Sequence, residues 1–306
     1  MVPNWNGAQW LVGCLDSVHR QTRRPEQTLV VDNGSSDGSL ELIGGRYPDV
    51  EVLALQCNRG FAHAANLGIA HCDADAVALV NTDVQLADDW LARTAAALEA
   101  DPGLGSIATK MVDMRDPRLL YSAGDVLRRD GVCEQRGRFS VDDGRYDCAG
   151  DVFAACAGAG LYRRSAVLAV GGFDERFFAY LEDVDLGLRL QLAGWRCAYE
   201  PAVARHAGGG SSWQLQRSPE ALVERNTLLM AARAFPIAWA PQLAYRQLGW
   251  AWHALRARRL RAHLGGAASA LPLLASMARE RSRLRREAAV PIEAVVPRRP
   301  IRGARG

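Results

Sequence analysis

Lysine is nearly missing from this 306-residue chain: Lys110 is the only one, and every other basic residue is Arg. The seven cysteines are an odd number and form no CxxC pair, which argues against a disulfide framework and a structural zinc site. Free, buried thiols in a reducing cytosol are the expectation. No run of 18 apolar residues occurs, so no ordinary membrane-spanning helix is expected. Residues 1–7 are polar and lack the apolar core of a secretory leader. No internal repeat is present. What remains is a cytoplasmic protein with 49% hydrophobic and 23% charged residues, long enough for one large α/β domain with an appendage.

The net charge of +3 conceals an asymmetry. From Arg246 onward there are 14 Arg and 3 Glu, whereas the preceding 245 residues carry 23 basic and 31 acidic groups. An acidic body with a basic tail differs physically from a uniformly basic protein.

Hydrophobic periodicity organises the first two-thirds. Leu11, Cys14, Leu15 and Val18 have helical spacing. Residues 28–31 form a short apolar run ending at Asp32. A polar turn at 33–38 precedes a helix over 39–46, a strand over 50–55, a helix over 61–71 and a strand over 76–80. That strand ends at Asn81-Thr82-Asp83, and a helix with an acidic start follows over 88–100. Such alternation with short connections predicts a mostly parallel sheet flanked by helices. Ligands then collect at the carboxyl ends of strands, where Asp32 and Asp83 both fall. Residues 119–149 read as a β-hairpin or mobile loop, 152–162 as a small-residue apolar segment, 182–193 as a helix and 195–199 as the last strand.

Three clusters carry chemistry. Asp83 leaves a buried strand and suits a hard cation, although a helix cap or turn would use the same residue. Glu182, Asp183 and Asp185 follow the aromatic residues Phe177, Phe178 and Tyr180. They could simply complement a helix dipole, but an aromatic collar would also desolvate a carboxylate and raise its basicity. His206 lies beyond the last predicted strand and opens a loop of Gly208-Gly209-Gly210-Ser211-Ser212, whose N–H groups could meet phosphate oxygens.

Together these segments resemble family 2 glycosyltransferases, which have the GT-A fold. The likeness rests on Val30-Val31-Asp32-Asn33-Gly34-Ser35-Ser36-Asp37-Gly38-Ser39, on Asn58-Arg59-Gly60-Phe61 continuing to Asn66-Leu67-Gly68-Ile69, on Asn81-Thr82-Asp83, and on residues 172–186 around Glu182-Asp183. His206 is the last of five ordered motifs spanning about residues 2–230. The subgroup most similar is a bacterial rhamnosyltransferase-like branch acting on cell-wall or O-antigen precursors. The resemblance implies that Pro3, Asn4, Asp32, Asn33, Arg59, Asn66, Asn81 and Thr82 face a nucleotide-sugar donor carrying dTDP or UDP. It implies that Asp83 and His206 hold Mg²⁺ or Mn²⁺, and that Asp183 is the catalytic base, with Glu182 supporting it or touching the acceptor. The anomeric centre would be inverted in one displacement.

Two departures stand out. Only Met1 and Val2 precede Pro3, where relatives have a full first strand, so a clipped strand and a looser nucleotide site are expected. Asn81 replaces an Asp that many relatives carry.

The expected organisation is a catalytic domain over 1–232, an amphipathic helical extension over 233–290 and a disordered Pro- and Arg-rich tail over 291–306. Aromatic, apolar helices flanked by Arg suggest peripheral contact with the inner face of a plasma membrane, which would suit a glycan or lipid-linked acceptor. The alternative for these helices is a cap packed on the catalytic domain. No stacking module accompanies the Arg runs, so no nucleic-acid partner is expected. Two other functional readings are a catalytically impaired scaffold protein and a nucleotidyltransferase; residues 3–7 lack the basic, Gly-rich loop the latter needs.

Overall fold

The computed structural model describes residues 1–208 and 218–298. Its strands are β1 (Val2–Asn4), β2 (Leu29–Asp32), β3 (Glu51–Ala54), β4 (Ala76–Val80), β5 (Val84–Leu86), β6 (Leu104–Asp113), β7 (Leu120–Ser122), β8 (Asp125–Leu127), β9 (Cys133–Gln135), β10 (Gly150–Val152), β11 (Ala159–Arg163) and β12 (Arg196–His206). Its helices are α1 (Ala8–His19), α2 (Ser39–Arg46), α3 (Phe61–His71), α4 (Trp90–Ala100), α5 (Arg164–Ala169), α6 (Glu182–Leu192), α7 (Pro219–Ala234), α8 (Ala240–Arg256), α9 (Leu260–Glu287) and α10 (Ile292–Val295).

The N-terminal half follows the expected parallel plan. Strands β1, β2 and β3 are parallel neighbours, and Asn4 is in register with Asp32. The short first strand therefore forms in spite of its length. It meets β4 through Val80 N–H donating to Met1 O (3.2 Å) and the Met1 amine donating to Ala78 O (2.9 Å). Beyond β4 the sheet is mixed rather than mostly parallel: β11 runs antiparallel to both β4 and β6, while β12 is parallel to β6.

Adjacent residues of single strands feed opposite cores, as the two-residue period of a strand requires. Val30, Val80 and Ile107 pack with Leu11, Leu15 and Trp90 on one face. Leu29, Val31, Leu79 and Ala108 pack with Ala65, Ile69 and Phe173 on the other. This two-sided burial is what the continuous apolar runs encode.

Strand β12 is longer than predicted. Pro201 interrupts the apolar pattern after Tyr199, but a register shift between Glu200 and Val203 absorbs it and the strand continues. A bulge is where a strand tolerates proline. His206 is thus the last residue of β12 rather than a residue beyond it, and the Gly/Ser loop after Gly208 lies outside the described residues. The predicted hairpin within 119–149 is β8–β9.

The expected domain boundary at 232/233 falls inside α7. A third core joins Phe177, Val184 and Leu188 to Leu229 and Met230 of α7, Ala270 and Met277 of α9, and Ile292, Val295 and Val296. Residues 292–296, expected in a disordered tail, are therefore packed, and Arg129 Nε donates to Val296 O (2.8 Å). Residues 299–306 lie outside the described residues. The cysteines are free, as expected, but Cys57 and Cys148 are exposed rather than buried.

Candidate active site

A cavity of about 770 Å³ opens at the carboxyl ends of β1, β2 and β4. Pro3, Asn4, Asn33, Asn81, Thr82, Asp83, Glu182, Asp183 and His206 all line it. Three other candidates do not. Asp32 is fully buried beneath the wall, accepting from Asn4 Nδ2 (2.7 Å) and Ser35 N–H (2.9 Å). Asn66 is occupied by a backbone: it donates to Phe173 O (2.8 Å) and accepts from Phe173 N–H (2.8 Å). Arg59 is exposed, and its charge helps to hold the Glu175 carboxyl below the usual range.

One wall of the cavity is built by short polar turns after β1 and β2. Asn33 Nδ2 donates to Asn58 Oδ1 and Gly60 O (both 3.0 Å), and Asn33 Oδ1 accepts from Arg59 N–H (2.9 Å). One side chain thereby fixes the loop ahead of α3. At Gly34, with φ +78°, an added Cβ would meet the Cys57 backbone at 2.6 Å, so only glycine lets these two turns touch.

Asp83 and His206 meet through strand pairing. Antiparallel β5–β12 sets His206 opposite Val84, beside Asp83, and Ala207 N–H donates to Asp83 O (2.9 Å). The two side chains are buried, with His206 Nε2 3.4 Å from Asp83 Oδ1. His206 Nδ1 is buried with no hydrogen-bond partner among the described residues. The Tyr121 ring lies 4.1 Å from the imidazole, and Arg138 caps Tyr121 at 4.5 Å. Among the described residues no group of three His, Cys, Asp or Glu forms a metal-ligand cluster. The site therefore offers one carboxylate and one imidazole, with further oxygens left to a ligand.

Asp183 stands on the first turn of α6. Its carboxylate accepts from Ala157 N–H (3.0 Å) and Val184 N–H (2.8 Å). Burial raises its pKa, and these N–H donors oppose that rise. Its neighbours have less such help: Glu182 has only its own backbone N–H and Asp125 only the charge of Arg138. Glu182 is pushed well above the usual range by burial and then by the charge of Asp183, and its Oε2 has no partner among the described residues. Asp125 of β8, buried in the same cavity wall, is raised by the same two causes in the same order. Three carboxyls thus share one cavity, and the backbone bonds favour the negative charge on Asp183.

The sequence reading missed what lies behind this helix. Asp185, fully buried, accepts from Arg189 Nε (2.8 Å) and from Arg233 Nη1 through both oxygens (2.7 Å each). Arg233 also pairs with Asp174 and with Glu280 of α9. Asp185 accordingly anchors α6 and lines no part of the cavity. The signals were faint: Asp125 interrupts the apolar pattern around Val126 and Leu127, and Arg233 sits within an otherwise apolar helical face.

The sequence matches the Glycosyl transferase family 2 profile over residues 1–170. It is 34% identical over 213 residues to N-acetylglucosaminyl-diphospho-decaprenol L-rhamnosyltransferase of Mycobacterium tuberculosis, covering 61% of this chain and 68% of the relative. The chain belongs to glycosyl transferase family 2. It is a glycosyltransferase, a sugar-transferring enzyme. A second relative is the O-antigen chain rhamnosyltransferase RfbN of Salmonella typhimurium, 25% identical over 219 residues, covering 68% of this chain and 65% of that one. The fold has GT-A neighbours. Mannosyltransferase PcManGT from Pyrobaculum calidifontis, in complex with GDP-Man and Mn²⁺, aligns with a TM-score of 0.54 at 20% identity, covering 93% of this chain and 79% of its own. GalNAc-T7 with UDP, GalNAc and Mn²⁺ aligns at 0.64 and 13% identity, covering 97% and 57%. The GT-A expectation from sequence is borne out, with the mixed second half as its refinement.

Proposed function

We propose that this family 2 glycosyltransferase is an inverting rhamnosyltransferase that moves rhamnose from a dTDP- or UDP-linked donor to a hydroxyl of a polyprenyl-diphosphate-linked or cell-surface glycan. The observation that carries the sugar and the acceptor class is the 34% identity to a decaprenol-linked rhamnosyltransferase. The observation that supports the chemistry is one cavity lined by both Asp83–His206 and Asp183.

In this reading Pro3, Asn4 and Asn33 bind the nucleotide, with Asp32 orienting the Asn4 amide. Asn81 and Thr82 line the way to the diphosphate. Asp83 and His206 would hold a divalent cation, Mg²⁺ or Mn²⁺, and the unpartnered His206 nitrogen fits that task. The cation would neutralise charge on the departing diphosphate. Asp183 accepts the acceptor hydroxyl proton as that oxygen bonds to the anomeric carbon. The bond from that carbon to the diphosphate oxygen breaks, and the nucleoside diphosphate leaves with the electron pair. Attack from the opposite face inverts the centre. Glu182, its carboxyl pushed up by burial and by the charge of Asp183, stands beside the base and contacts the acceptor. Arg59 and Asn66 act through the walls of the site, since neither lines the cavity.

A lipid-linked acceptor also suits α8. Tyr245, Leu248, Trp252 and Leu255 recur at helical spacing and are 51–80% exposed. Exposed Arg256, Arg258 and Arg261 follow them. Among the described residues no helix is long and apolar enough to cross a bilayer. Such a face fits the surface of an anionic leaflet.

Nucleoside diphosphate release tests the reading, using dTDP-rhamnose, UDP-sugars and GDP-mannose with a polyprenyl-diphosphate-linked N-acetylglucosamine acceptor. Fastest turnover with dTDP-rhamnose, abolished by Asp183→Asn, is expected. Undiminished turnover in Asp183→Asn would remove Asp183 as the base.

A further inference from the structure

The loop that leads into Glu182 and Asp183 has a backbone few side chains tolerate. Phe178, Tyr180 and Leu181 have φ of 66°, 68° and 64°. Three non-glycine residues at positive φ within four positions persist only where surrounding structure over-determines them. All three, with Ala179 between them, line the cavity.

One restraint is a buried amide. Asn226 of α7 has no exposed surface, and its Nδ2 donates to Phe177 O (3.0 Å), Ala179 O (2.9 Å) and Tyr180 O (2.6 Å). Its Oδ1 accepts from Arg225 Nη1 (2.7 Å), which fixes which end of the amide faces the loop. The same loop touches the donor side. Ala62 N–H donates to Phe178 O (3.3 Å), and a Cβ on Gly60 would meet the Phe178 ring at 2.6 Å. Packing alone would not demand an amide at this place, since an apolar residue of similar size could fill it. Three carbonyls converging on one point do demand a donor.

We infer that Asn226 is the positioning residue of this glycosyltransferase: it holds loop 178–181 in its strained form and so aims Asp183 into the cavity. The inference rests on Asp183 being the base. Without the Nδ2 donor, the carbonyls separate, the loop relaxes to ordinary φ, and the first turn of α6 loses its fixed relation to Ala157. The bonds from Ala157 and Val184 that favour ionised Asp183 then loosen.

The experiment compares full-length wild type with Asn226→Asp, Asn226→Ala and Leu229→Ala, the last a buried core position one turn away on α7. With dTDP-rhamnose as donor, both Asn226 variants should lose about 100-fold in kcat, the scale of a misplaced catalytic group. Their acid limb should move to higher pH, because a base stripped of N–H donors is harder to ionise. Leu229→Ala should lower Tm yet keep kcat and the acid limb. Hydrogen exchange over residues 176–186, which needs no substrate, should quicken in the Asn226 variants and not in Leu229→Ala. Wild-type kcat and acid limb in Asn226→Asp, or unchanged exchange in that segment, would overturn the inference. Undiminished turnover in Asp183→Asn is a separate outcome: it would remove the base assignment, while the exchange result still decides whether Asn226 holds the loop.

Discussion

Arg233 of α7 clasps Asp185 of α6 through both carboxylate oxygens at 2.7 Å, and both residues are buried. The helix that carries the candidate base is therefore tied to the C-terminal helices by charge as well as by apolar packing. Breaking such a pair from one side leaves the buried Asp185 carboxylate with Arg189 as its remaining cationic partner. Arg233→Met should cost about 3–5 kcal/mol of unfolding free energy, measured by urea denaturation. A loss below about 1 kcal/mol, the scale of an exposed pair, would show that the network carries no such weight.

As the proposed base, Asp183 should set the acid side of the rate profile. Its pKa is raised, so the proton-accepting form is lost on acidification sooner than for a solvated aspartate. The acid limb of kcat should have its midpoint above about pH 4, the ordinary aspartate value. A limb at or below that value would mean that another group limits the rate.

Asp125 links pH to stability. Its folded pKa lies above its unfolded one, so the folded state holds the proton more tightly and loses stability as pH rises through and beyond the unfolded value. Asp125→Asn removes that penalty. The variant should melt higher than wild type at pH 8, by about 2–4 °C for each kcal/mol gained, and the difference should shrink towards pH 4. A gap independent of pH would contradict the assignment.

Chelation probes the Asp83–His206 pair. EDTA, Asp83→Ala and His206→Ala should each lower kcat/KM for the nucleotide-sugar donor by about 100-fold or more, as expected for losing charge stabilisation worth several kcal/mol. Restored activity on adding Mn²⁺ should occur for wild type and not for Asp83→Ala. Equal donor turnover with and without EDTA would dismiss a metal at this pair.

Sedimentation with vesicles addresses α8. Wild type should pellet with phosphatidylglycerol vesicles and less with phosphatidylcholine alone, and Leu248→Ser/Trp252→Ser should stay in the supernatant. Identical pelleting of both proteins would discard this face as a lipid contact.

The donor half was legible in sequence because its logic is local. Each strand ends in a polar turn within a few residues of its apolar run, so Asp83 and the turn after Asp32 could be placed without knowing the partners. Asp83 and His206 were harder, since only the β5–β12 register unites residues so far apart in sequence. Asn66 shows the limit of motif reading: it sits in the right segment, yet its amide serves Phe173. Asn226 and Arg233 left only a faint local trace, because a polar residue on an apolar helical face gains meaning only from the loop or carboxylate across from it. The end of β12 was misread because Pro201 ordinarily stops a strand, and a bulge is a tertiary accommodation. Residues 292–296 were misread because an Arg- and Pro-rich neighbourhood hid three apolar side chains.

Helix α7 contributes Val223 to the cavity and Leu229 and Met230 to the core beneath α9. One wall of the cavity and the C-terminal helices thus share a single helix. A chimera that exchanged the helices alone, spliced after Ala234, would set foreign helices against the α6 and α7 side of this core. A swap of residues 171–296 would move these helices together yet leave behind Asn66, Ala157 and Arg129, the partners of Phe173, Asp183 and Val296, so the C-terminal helices are exchangeable only with the body they pack on.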